Sequence, residues 1–104
     1  MNWTRYEILL PLRYNDGRAV EPAKFDQTNL ELMEKFSATT ADLVPALGTW
    51  RYRGTLYEDL LVRIIVDVPG SFEADRFFGD YKETLKERFE QVDIWISSHE
   101  IHIL

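Results

Sequence analysis

The apolar residues of this chain change period along its length in a fixed order: alternating, helical, alternating, alternating, helical, alternating. Alternation sends successive side chains to opposite faces of a strand, whereas spacings of three and four keep them on one face of a helix. The order therefore reads βαββαβ. It predicts an α+β fold of the ferredoxin-like (split βαβ) kind, a four-stranded antiparallel sheet with two helices on one face. A chain of 104 residues has room for one core, so a single domain over residues 1–104 is expected.

The first strand is predicted over Arg5 to Leu12, with Tyr6, Ile8, Leu10 and Leu12 toward the helices, followed by a turn at Tyr14-Asn15-Asp16-Gly17. Pro22 suits the first turn of a helix that runs to about Ser37 and gathers Phe25, Leu32, Met33 and Phe36 near one face. Residues 38–48 are the least periodic part of the chain. A strand beginning among Thr39, Thr40, Leu43 and Val44 is restricted to an edge by Pro45. Thr49 to Tyr52 and Leu56 to Val68 then read as a hairpin turning at Arg53-Gly54. In its second arm Leu60, Val62, Ile64, Val66 and Val68 form an unbroken apolar row, assigned to the helix-covered core. Ser71 is read as the N-cap of a second helix carrying Phe78, Tyr81, Leu85, Phe89 and Val92, and a last strand follows over Asp93 to Leu104.

Composition removes several function classes. The net charge of -6 argues against nucleic acid, whose binding draws on Lys and Arg. The absence of cysteine excludes disulfides, thiol nucleophiles and thiolate metal sites. No apolar run reaches the roughly 20 residues of a membrane span, and the first residues lack the apolar core of a signal peptide, so a cytoplasmic protein is expected. His99 and His102 are three apart on one strand and fall on opposite faces, which disfavours a metal site. No nucleotide-binding glycine motif or zinc-protease motif is present, and no cofactor is expected.

Two groups of residues remain as candidates. The face away from the helices collects Arg5 and Glu7 from the first strand, Arg63 and Asp67 from the third, and His99 from the fourth. Such a cluster has the residue types for anion binding and proton transfer, and equally those of a solvated face with charges paired across strands. The hairpin interleaves Trp50, Tyr52 and Tyr57 with Arg51 and Arg53, a composition suited to stacking a planar ligand or single-stranded bases, or to a protein interface, which the net acidity favours.

Tyr6-Glu7-Ile8-Leu9-Leu10-Pro11-Leu12, Asn15-Asp16-Gly17, Trp50-Arg51, Tyr57-Glu58-Asp59, Val66-Asp67-Val68-Pro69, the run Tyr81 to Phe89 and Asp93-Ile94-Trp95-Ile96 resemble a family of small, uncharacterised bacterial proteins. The resemblance implies a bacterial source and a stand-alone domain, and assigns no activity. From the residues themselves the leading expectation is a non-catalytic interaction module that forms a homodimer or docks on a protein partner. The alternative is a small-molecule-binding protein or enzyme, like the dimeric α+β barrels, with its site on the free sheet face.

Overall fold

The computed structural model describes residues 2–42, 44–70 and 72–104. Its elements run β1 (Asn2–Pro11), α1 (Pro22–Phe36), β2 (Thr40–Ala41), β3 (Ala46–Tyr52), β4 (Thr55–Pro69), α2 (Phe72–Arg88) and β5 (Trp95–His102). The sheet order is β2-β4-β1-β5, with β3 also on β4, and every pairing is antiparallel. This is the expected α+β sandwich with one difference. The edge position is filled by two strands, β2 beside Ile64 and Ile65 and β3 beside Thr55 to Leu61, so five strands occupy four places. Pro45 immediately precedes β3, where its missing N–H removes no ladder bond from the strand. The predicted N-cap at Ser71 and the strand position at Leu43 lie outside the described residues.

β1 and β4 form the centre of the sheet in the register Tyr6 to Val66 and Ile8 to Ile64. Those residues and Leu10 are buried beneath the helices with Leu32 of α1 and Ala74, Phe78, Tyr81 and Leu85 of α2. The α2 set recurs at spacings of three and four, and Phe89 extends it just past the helix end. Tyr6 stacks on Phe78 at 4.2 Å between ring centroids, and Phe78 stacks on Phe36 at 5.3 Å.

Three core assignments change. Met33 is exposed because Thr28, Leu32 and Phe36 take the inward line of α1, and Thr28 is fully buried. Its hydroxyl donates to the Lys24 carbonyl one turn back, which satisfies the one buried polar residue found among the described core positions. Val92 lies beyond the end of α2, after Glu90 with φ 54°, and is 79% exposed. Leu60 is 50% exposed although its row continues into the core. The reason is the length of β4: β1 accompanies it only from Leu61 to Pro69, so residues 55–60 and β3 project as a two-stranded ribbon past the helices. Arg53 and Gly54 close that ribbon with φ 49° and 80°, the paired positive angles of a two-residue hairpin loop, with Gly54 in its usual place and Arg53 where Asn or Asp is commoner.

The helices are tied to each other by a polar cluster at their buried face. Arg88 donates to Glu31 at 2.9 Å and to the Thr28 hydroxyl at 2.8 Å, and the Tyr81 hydroxyl donates to Glu31 at 2.7 Å. Hydrogen bonding from Arg88 holds the Glu31 carboxyl below its ordinary range. Burial, with the bond to Glu31, pushes the Tyr81 hydroxyl up to about 12.

Candidate functional site

On β1, β4 and β5 the odd-numbered residues share the face opposite the helices, as the pleat requires. Arg5 stands directly across from Asp67 and binds it through two bonds, Nε to Oδ1 at 2.8 Å and Nη2 to Oδ2 at 3.0 Å. Arg63 reaches Glu7 at 3.2 Å and Asp42, just past β2, at 2.9 Å. The cluster predicted from sequence is therefore assembled as a ladder of cross-strand ion pairs. Hydrogen bonds donated to Asp67 and Asp42 raise the Arg5 and Arg63 guanidinium groups above their already high ordinary values. With carboxylates on both guanidiniums, neither is offered to an anion. His99 of β5 stands directly across from Arg5 of β1 and is exposed. Asp42 was not foreseen, since it sits in the aperiodic stretch and only the register of β2 brings it to Arg63.

The hairpin residues divide between two faces. Trp50 pairs with Tyr57 across the ribbon and their rings stack at 4.6 Å, with Tyr52 beside Trp50 at 6.4 Å. Trp50 Nε1 donates to Asp59 at 2.8 Å, which fixes the indole plane and places a carboxylate at its edge. Arg51 points to the other face beside Leu56, and the Arg53 guanidinium lies over the Tyr52 ring at 5.3 Å.

Where this aromatic face continues into the sheet, a groove of about 680 Å³ opens. One wall is Trp50 and Tyr52, with Asp59 beside Trp50 on the side away from Tyr52 and Leu61 toward the floor. The floor continues through Leu9 and Pro11 of β1, and the far wall is Trp95 with the loop that carries Asp93. Gly48 leaves the space that keeps this floor low: a Cβ there would stand 2.8 Å from Leu61 Cδ1. Trp95 is 65% exposed and Trp50 45%, so both indoles present open surface. Asp93 pairs with Lys82 at 3.0 Å, and that bond holds its carboxyl below the ordinary range. The lining is thus mostly apolar, with three aromatic rings and two carboxylates, and without Lys or Arg among the described residues. None of Arg5, Glu7, Arg63, Asp67 or His99 lines it, so the ion-pair ladder and the groove are neighbours on one face. Among the described residues no group of three His, Asp or Glu side chains is placed to hold a metal ion.

No helix among the described residues is long and apolar enough to cross a membrane. No family model matches the chain, and no curated protein matches it. Solved structures of similar shape do exist. A phage SAM lyase in complex with S-methyl-5'-thioadenosine is 14% identical, with a TM-score of 0.60, and the match covers 97% of this chain and 90% of that one. A phage SAM lyase in the apo state is 18% identical, with a TM-score of 0.62, over 93% of this chain and 79% of that one. At these identities the likeness is one of fold, and it agrees with the ferredoxin-like sandwich described above.

Proposed function

We propose that the protein binds a small molecule in the groove between the β3–β4 ribbon and Trp95, as an enzyme or ligand-binding protein. The observation that carries this reading is that Trp50, Tyr52, Asp59 and Trp95 line one groove. Two exposed indoles suit a flat heteroaromatic ring, which stacks on an aromatic face with a gain of about 1–3 kcal/mol. Asp59, a carboxylate beside electron-rich ring faces and without a cationic partner among the described residues, favours positive charge and disfavours phosphate, whereas Asp93 is already paired with Lys82. A planar base joined to a cationic group meets both conditions. S-adenosylmethionine, an adenine nucleoside carrying a sulfonium and an ammonium, is the first candidate, and the similar fold of phage SAM lyases supports trying it.

The same likeness supports the small-molecule alternative over a non-catalytic interaction module, since the similar structures are enzymes. A bacterial, cytoplasmic setting, expected from the sequence, belongs to the same proposal. The site sits at the ribbon end of the free face, next to the charged ladder, whose two guanidiniums are already held by carboxylates.

Calorimetric titration with S-adenosylmethionine and with S-methyl-5'-thioadenosine tests the reading, with product analysis by chromatography reporting any turnover. Wild-type protein is expected to bind, and Trp50→Ala to bind about tenfold more weakly through loss of one stacking surface. Asp59→Asn is expected to weaken the cationic ligand more than the neutral thioether. Equal heats for wild type and Trp50→Ala would remove the groove from the account.

A further inference from the structure

The outer edge of β3 carries no partner strand among the described residues, because β3 pairs only with β4. Exposed edges are ordinarily blunted by charged side chains, Pro or a bulge, and within Ala46-Leu47-Gly48-Thr49-Trp50-Arg51-Tyr52 Arg51 is the one charge and there is no Pro or bulge. A two-stranded ribbon without a layer beneath it is also weakly supported on its own. We propose that β3 pairs antiparallel with the β3 of a second copy about a two-fold axis through Thr49, joining two sheets into one.

The residue order of β3 is self-complementary in that register. A two-fold axis at Thr49 sets Gly48 across from Trp50, Ala46 across from Tyr52, and Leu47 across from Arg51. On the groove face each large ring meets a small residue, and an aromatic neighbour is what supports an edge glycine. On the other face Leu47 is 63%, Leu56 56% and Leu60 50% exposed, and the aliphatic stem of Arg51 continues this apolar band across the join. Arg51 and Glu58 share this face and form no ion pair among the described residues, so the face carries one charge of each sign. A two-fold interface uses one patch on both molecules, which is the requirement this pattern meets.

Sedimentation velocity without ligand tests the pairing by mass alone, apart from any binding in the groove that Thr49 also borders. Wild type is expected to move with concentration from the 12.3 kDa of one chain to twice that mass. Thr49→Lys places the introduced ammonium beside Glu58 within its own ribbon but opposite its own copy at the axis. It is expected to weaken association by about tenfold or more, because like charges directly across a strand pair repel. Far-UV circular dichroism should be unchanged. Mixing Thr49→Lys with Thr49→Glu should restore the dimer, since opposite charges then meet at the axis. Wild type at monomer mass throughout, a trimeric mass, or a Thr49→Lys dimer as tight as wild type would each overturn the proposal.

Discussion

Phe89→Ala is expected to lower the free energy of unfolding by about 3–5 kcal/mol, the cost of emptying an aromatic site that cannot collapse. Phe89 is fully buried, its ring meets Phe25 edge-on at 5.3 Å, and its N–H bonds the Leu85 carbonyl at 2.9 Å. It closes the core at the end of α2, where the chain turns through Glu90 toward β5 and the loop bearing Asp93. Domains of this size are stable by about 5–15 kcal/mol, so the loss takes a large share of the total. Urea unfolding followed by circular dichroism measures it. A loss below about 1 kcal/mol would mean that the residue is not packed as described.

The second large effect belongs to Arg88. Its side chain is 10% exposed, and it holds Glu31, the Thr28 hydroxyl and, through Glu31, the Tyr81 hydroxyl at the contact between helices. Arg88→Ala removes the cation and leaves a carboxylate that is only partly exposed. A destabilisation of about 2 kcal/mol is expected, below the full value for a sealed pair because water reaches Glu31. The pH dependence follows from the same contacts. Glu31 titrates lower when folded than when unfolded, so its contribution is present above the ordinary carboxylate value of 4.5 and is lost as pH falls through the folded value. In Arg88→Ala this part of the acid-side slope should shrink. Tyr81 titrates higher when folded, so its contribution is complete below 10 and is lost as pH rises toward about 12. Unfolding curves across acid and alkaline pH, on wild type and variant, check both limbs.

The sequence carried the fold because each element's apolar period is local. Tyr6, Ile8 and Leu10 announce β1, and Phe78, Tyr81, Leu85 and Phe89 announce α2, without reference to any other segment. It carried less where the answer depends on a partner. Nothing in the alternation of β4 says where β1 stops beside it, so Leu60 reads like Val66, yet Leu60 stands on the ribbon and Val66 in the core. Residues 38–48 show no period because the edge is broken there, and Asp42 leaves the strand to reach Arg63. The two candidate groups were both visible as residues, and their relation was not. The groove gathers Leu9, Asp59 and Trp95 from three distant segments, and only the strand register brings them to one end of one face. Asp59 was within reach of sequence reasoning, since it follows Tyr57 by two and so shares its face.

The central claim is that a small molecule occupies the groove between Trp50 and Trp95. The chain has three tryptophans, at positions 3, 50 and 95, whose indole N–H groups give separate signals in a nitrogen–proton correlation spectrum. Trp3 lies toward the opposite end of the sheet, across from Pro69 and Ile101. Adding S-adenosylmethionine to labelled protein is predicted to shift the Trp50 and Trp95 signals together, saturably, while Trp3 stays in place. A spectrum in which neither groove indole moves, or in which Trp3 alone responds, would contradict it.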